Sequence, residues 1–375
     1  FLRNSRMIRH LKLPILISLY YSNNEWAHQF FKKEKFDCCI FPETNFEYRT
    51  DILIKIARIN GISTIVLPYT MAGIEELVRA YETYKPYQVK KLSIISFFLI
   101  FFPQWKMKIG KKAILPCDIN VVFAKELFGL RPKNPWLINS FPVDCFLTES
   151  GGMHGFYKKN GLQQPNMIMT GSLVDDEIFR ASPANKKKQA TKTILWAIPP
   201  DQTSAGRQID GNMSYFEIIS AIALFLREQP DTEIIATPHP RINLEKNLWL
   251  KDLGVNLSTQ DTASLIPLAD IFIATSSATI RWAIASSKPV INFDFYRYNY
   301  ADFKKVSSVI EVKSLFDFRQ EYKNNFSKIV NFRTLQKYAN QEAPIWGFRD
   351  GKSGKRIQNA ISASISSKKV FRKHI

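Results

Sequence analysis

The strongest chemistry-bearing features of this sequence are a run of small hydroxyl residues and a histidine held between prolines. Residues 271–274 form a short apolar run, the mark of a buried parallel strand. Thr275, Ser276 and Ser277 follow it, and residues 278–287 then carry Ile280, Ala283 and Ile284 at helical spacing. Lys288-Pro289 stops that helix, because a residue before proline avoids the helical region, and residues 290–293 read as a second buried strand. A helix that opens just beyond the carboxyl end of a strand favours an anion, since its first N–H groups and its dipole face outward. Upstream, Thr237-Pro238-His239-Pro240-Arg241 ends another apolar run. His239, Arg241 and Arg281 add cationic or titratable groups nearby in sequence, a set suited to a phosphorylated ligand.

Other candidates stand at the ends of further strands. Glu43 follows the apolar stretch 36–41, and Glu75 and Glu76 open a helix after the loop 68–73. Each is a candidate base for a proton-transfer step and equally an ordinary capping or surface carboxylate. His154, in Gly-Gly-Met-His-Gly, is a further candidate. Asp201 and Gln202 end the first strand of the second half, and Asp294 opens the loop after residue 293, both places where an α/β sheet puts ligand contacts. Asp270 reads as structural. Plainer readings stand beside these: the serines only cap a helix, His239 is a loop residue satisfied by backbone, and Arg281 is a solvated helix residue.

Positioning these residues requires a regular scaffold. Strand-like and helix-like segments alternate over residues 36–84 and again over 193–312, the rhythm of parallel α/β sheets. Residues 118–123 (Asp-Ile-Asn-Val-Val-Phe) read as a strand and 244–253 as a helix. The polar stretch 182–192 reads as a linker. The expected organisation is an N-terminal domain over residues 1–185, a second over 190–345, and a C-terminal helix with a basic tail over 346–375. The chain begins at Phe1, not Met, which is the mark of a fragment or a trimmed chain, and leaves open an additional first strand.

The charge balance constrains partners. Lys and Arg number 52 against 33 Asp and Glu, a formal net charge of +19. That points to an anionic partner: nucleic acid, an anionic membrane surface or a phosphorylated substrate. No recognition-helix, zinc-finger or RNP-like pattern is present, so nucleic acid is not expected. Residues 92–105 are almost wholly apolar and rich in Phe, with lysines at 90, 91, 106, 108, 111 and 112 on either side. The stretch is shorter than the roughly 20 residues that span a bilayer. It reads either as an interfacial segment over 90–112, in which Trp105 and its neighbours dip into lipid, or as a buried helix with solvated lysines. The cysteines, Cys38, Cys39, Cys117 and Cys145, have no metal-ligand spacing with a histidine and read as reduced core residues. No metal is expected.

The order His-Pro (239–240), Leu-x-x-Ala-Asp (266–270), Thr-Ser-Ser (275–277) and Lys-Pro-Val-Ile-x-Phe-Asp-x-Tyr (288–296) resembles the GT-B glycosyltransferases of surface polysaccharide synthesis. It looks closest to capsule and teichoic acid polymerases of the CDP-glycerol glycerophosphotransferase type, and more distantly similar to non-hydrolysing UDP-N-acetylglucosamine 2-epimerases. Residues 156–179, which contain Thr-Gly-x-x-x-Asp (170–175), and Asp350-Gly-Lys-Ser-Gly-Lys-Arg-Ile resemble the segments that close the first domain and start the last helix of these enzymes.

The resemblance implies an α/β fold of GT-B type, two Rossmann-like domains facing a cleft, with the C-terminal helix returning to the N-terminal domain. It implies a nucleotide-sugar or CDP-alditol donor held by the second domain, a lipid-linked or polysaccharide acceptor, and no cofactor beyond that donor. The expected location is cytoplasmic, peripheral on the inner face of the cell membrane. His239, Ser276 and Ser277 inherit contacts to the donor's phosphates. The polymerases usually have Asp-Tyr-Ser-Ser where this chain has Ala274-Thr275-Ser276-Ser277, and Arg281-Trp282-Ala283 stands where epimerases carry an acidic residue. Two other readings stay open: an epimerase-like isomerase and a non-catalytic binding protein on the same fold.

Overall fold

The computed structural model describes residues 6–45, 49–67, 71, 73–82, 87–89, 94–182, 191–203, 207–240, 242 and 244–372. The chain divides into two compact units: Phe1–Thr148 with His154–Thr170 and Ile357–Ile375, and Glu149–Met153 with Gly171–Arg356.

The first unit starts with helix α1 (Arg6–Lys33), then strand β1 (Cys38–Phe41), α2 (Thr50–Ile59), β2 (Ser63–Val66) and α3 (Ile74–Glu82). Next come α4 (Ile94–Phe101), a hairpin of β3 (Met107–Ile109) and β4 (Lys112–Ile114), α5 (Ile119–Leu127) and β5 (Cys145–Thr148). Helix α6 (Gly151–Lys159) leads to β6 (Met167–Met169). The parallel sheet has the order β1-β2-β5-β6. The inner strands β2 and β5 are buried on both faces, with Ile65, Cys145 and Leu147 fully buried, whereas the edge strands β1 and β6 leave Ile40 and Met169 half-exposed.

The second unit contains α7 (Leu173–Ala181), β7 (Lys192–Ile198), α8 (Tyr215–Arg227), β8 (Thr232–Pro238), β9 (Asn256–Leu257), α9 (Thr262–Leu265), β10 (Ile271–Ala274), α10 (Ile280–Ala285), β11 (Val290–Phe293) and β12 (Val309–Val312). Helices α11 (Leu315–Tyr322), α12 (Ile329–Trp346) and α13 (Ser353–Arg372) follow. Its sheet is parallel throughout, in the order β12-β11-β10-β7-β8-β9. The core between sheet and helices holds Trp196, Ile219, Phe293, Phe318 and Phe326, all buried. Ser214 and Glu217 form a reciprocal capping box that starts α8.

Three expectations are corrected. Residues 118–123 are not a strand: Asp118 accepts the Asn120 N–H as an N-cap and the apolar run continues as α5. The β-branched run misled because a cap outweighs a short propensity signal. The helix expected over 244–253 is a 3-10 segment, Leu244–Leu250. Trp105 does not dip outward. It is fully buried beside Leu99, Leu115, Cys117 and Val122, with its indole N–H donated to Glu126 Oε1.

Two carboxylates, Asp175 and Asp176, organise the backbone around residues 172 and 353. Asp175 accepts from the Ser172 N–H, and its carboxyl is pushed up to about 6 by burial. Asp176 accepts from the N–H groups of Ser353 and Gly354, both at 2.8 Å, and so caps α13. Gly171 has φ 84°, and a Cβ there would meet the Ser353 side chain. Residues of α13 from Ile357 onward belong to the first unit, where Ile357 and Ala360 pack with Ile65, Cys145 and Leu147.

Candidate functional site

In the second sheet, β7, β8 and β9 run outward to one side, and the chain then crosses to place β10 on the other side of β7. The strand order therefore reverses between β7 and β10. In open α/β sheets ligands bind outside the carboxyl ends of the strands at such a reversal. Asp201 and Gln202 follow β7, His239 follows β8, Thr275–Ser277 follow β10 and Asp294 follows β11. The residues chosen from sequence thus stand at the carboxyl ends of four neighbouring strands.

The turn after β10 is built by side chains. Ser276 adopts a left-handed backbone (φ 44°), and its N–H is donated to Asn292 Oδ1 at 2.8 Å. Asn292 is buried within β11. Ser277 Oγ accepts the Thr279 N–H at 3.2 Å and shares a 2.8 Å hydrogen bond with the Thr279 hydroxyl. Ser277 therefore holds Thr279, the residue just before the short helix α10, and is itself half-buried at the strand end. Thr275 is buried.

The walls of this turn are tied together by tyrosines. Tyr296 Oη accepts the Gln202 N–H at 3.1 Å and is 3.0 Å from the Pro200 carbonyl, to which it donates. Tyr215 donates to the Pro199 carbonyl. Burial pushes both phenols well above the usual tyrosine range, so they stay protonated donors. Asp201 Oδ1 accepts from the N–H and hydroxyl of Thr203. The His239 N–H continues the strand ladder to the Ile198 carbonyl, which fixes the histidine backbone beside β7. The Arg207 guanidinium lies over the Tyr298 ring, 4.7 Å from its centroid.

Two candidates take structural places. Asp294 is buried and its two oxygens accept the N–H groups of Tyr298 and Asn299, which holds the loop after β11. Arg281 is buried on α10, not solvated, and its Nη1 donates to Glu149 Oε1 at 2.5 Å. Burial raises the Glu149 carboxyl, and Arg281 opposes that shift. Asp270 accepts the Thr193 N–H at the start of its strand. Arg241 lies outside the described residues.

In the first unit, Glu43 follows β1 and Glu75 and Glu76 lie in the first turn of α3, after the adjacent strand β2. Glu43 is buried, with Asn45 Nδ2 3.4 Å from its Oε1; Glu76 is half-buried and Glu75 exposed. His154 Nδ1 is 3.3 Å from the Thr148 hydroxyl, and burial followed by Lys158 holds its pKa below the usual value. Sequence reasoning missed Asn292 and Glu149, while Tyr296 closes the motif over 288–296 without its tie to Gln202 being foreseen. Asn292 carried a signal, a lone amide inside an apolar strand; Glu149 did not.

No protein-family model matches the chain, and neither does any curated protein. Solved structures do. A putative UDP-N-acetylglucosamine 2-epimerase from Listeria monocytogenes superposes with a TM-score of 0.53 at 11% identity, over 93% of this chain and 80% of that one. The S. aureus MnaA–UDP structure gives 0.49 at 13% identity, over 92% and 79%. The wall teichoic acid polymerase TagF gives 0.40 at 13% identity over 60% of this chain, which spans 58% of the polymerase. The likeness to the Listeria protein, together with the two parallel sheets, identifies the fold as α/β of the GT-B type, with two Rossmann-like units.

Proposed function

We propose that the chain is a transferase that takes a nucleotide-sugar or CDP-alditol donor. It passes the sugar or alditol phosphate to a lipid-linked or polysaccharide acceptor at the inner membrane face. The observation that carries this reading is the gathering of Gln202, His239 and Ser277 at the carboxyl ends of neighbouring strands around the β7/β10 reversal. Polar groups at that place suit a diphosphate.

In the proposed step, an acceptor hydroxyl attacks the donor's reacting carbon or phosphorus, and the bond to the nucleotide's leaving phosphate oxygen breaks. Negative charge then grows on that oxygen, where the Ser277 hydroxyl and His239 stabilise it. The hydroxyl proton passes to a carboxylate base, the role kept for Glu43 or Glu76. Ser276, with its N–H turned to Asn292, offers its hydroxyl to the same phosphates. Thr275 and Arg281 act by holding this turn, and Asp201, Gln202 and Asp294 by shaping its walls. Arg241, next to His239 in sequence, adds positive charge.

The test is thermal unfolding with UDP-N-acetylglucosamine, CDP-glycerol, and GDP- and CMP-linked sugars. One nucleotide class should raise the melting temperature, and Ser277→Ala and His239→Ala should remove the rise. An unchanged rise in both folded variants would remove this site. Conversion of a UDP-sugar to its 2-epimer with no acceptor present would replace the transferase reading by an isomerase.

A further inference from the structure

Over residues 97–101, helix α4 divides its side chains by face. Leu99 is fully buried against Trp105, and Phe98 packs on Phe102 and Phe123. Phe97, Ile100 and Phe101, at spacings i, i+3 and i+4, point the other way and are 65%, 65% and 67% exposed. Three large apolar side chains on one turn are a surface that water covers at a cost.

The β3/β4 hairpin follows directly and is tied in through Val89 and Leu115, which bond to the carbonyls of Ala113 and Tyr87. It carries Lys106, Lys108, Lys111 and Lys112, the last three exposed. Residues 83–117 contain seven lysines and no Asp or Glu. The apolar turn thus sits in a stretch of unrelieved positive charge. A second copy of this chain would bring the same seven charges against it, which disfavours self-docking. An apolar tip among cations matches a surface with anionic headgroups over hydrocarbon.

We propose that the face formed by Phe97, Ile100 and Phe101 with the hairpin lysines docks the protein on an anionic lipid bilayer. The three apolar side chains enter the boundary between headgroups and acyl chains while the lysines meet lipid phosphates. No helix among the described residues is long and apolar enough to cross a membrane. The inference stands on this patch alone and does not depend on the donor site.

The test is flotation of the full chain with vesicles of phosphatidylcholine, alone or mixed with phosphatidylglycerol. Binding should require the anionic lipid and weaken as salt rises. Lys108→Gln, Lys111→Gln and Lys112→Gln together should lower it on the order of 100-fold, at roughly fivefold per lysine. F97S/I100S/F101S should abolish it. Phe101→Trp replaces an exposed ring and keeps the fold testable: its added emission should shift to the blue and be quenched by brominated acyl chains. Absence of binding by the wild type, or wild-type binding by either set of folded variants, would overturn the proposal. So would self-association that disappears in F97S/I100S/F101S with vesicle binding unchanged.

Discussion

Arg281 of α10 and Glu149, which directly follows β5, form a buried ion pair 132 residues apart in sequence, with 2.5 Å between Nη1 and Oε1. The pair fixes the helix that begins at the hydroxyl turn. Glu149 Oε2 has no hydrogen-bond partner, so the guanidinium is what offsets the cost of burying this carboxylate. Glu149→Gln should therefore destabilise the chain by about 3–5 kcal/mol in urea unfolding, because it removes the carboxylate to which the buried Arg281 Nη1 donates. E149L/R281M should recover much of that loss. A loss below 1 kcal/mol for Glu149→Gln would show that the pair does not hold the helix.

The backbone of Ser276 predicts a separation of stability from binding. A left-handed serine is strained where glycine is not. Ser276→Gly should raise unfolding free energy by up to about 1 kcal/mol. If its hydroxyl touches the donor phosphates, the same variant should weaken nucleotide binding about tenfold. Calorimetric titration beside thermal unfolding reads both, and tighter binding would remove Ser276 from the site.

Asn292 should matter for the same turn. Asn292→Leu removes the acceptor for the Ser276 N–H and buries that donor unpaired, at about 1–3 kcal/mol. Chemical denaturation measures the loss. Asn292→Asp keeps an acceptor for that N–H but sets a buried carboxylate against Glu311, which the Asn292 amide hydrogen-bonds, so its loss should grow as pH rises.

Asp175 predicts a pH dependence. Its folded pKa, about 6, lies above the ordinary value of 3.8. A carboxyl with a raised folded pKa favours the folded state most when protonated. Its contribution is thus complete below pH 4 and lost as pH rises through 6, with a total of about 3 kcal/mol. The difference in unfolding free energy between wild type and Asp175→Asn should follow this window. A flat difference would contradict the raised value.

Asp176 holds the first turn of α13 through two N–H groups. Asp176→Ala should cost about 1–2 kcal/mol, and Asp176→Asn less. Unfolding curves of the two variants give the ranking directly.

The parallel strands were legible because burial on both faces writes them as apolar runs bounded by polar loops: residues 271–274 and 290–293 coincide with β10 and β11. The fold type was legible from the order of short motifs. What escaped were relations between distant side chains. Nothing local marks Glu149 as the partner of Arg281 or Tyr296 as the clamp on Gln202. Trp105 escaped for a related reason. A fourteen-residue apolar stretch does not reveal which of its faces turns inward, and only packing on Leu115 and Val122 decides it. Residues 118–123 show the opposite failure, in which one capping aspartate overruled a strand-like composition.

The core of the first unit includes Ile357 and Ala360, and Ser364 hydrogen-bonds Ser63 across 301 residues of chain. During synthesis these residues leave the ribosome only after residues 171–356 have done so. Every contact by which α13 closes the first unit's core therefore spans the whole of residues 171–356, and this unit cannot complete its core until the chain of the second has been made.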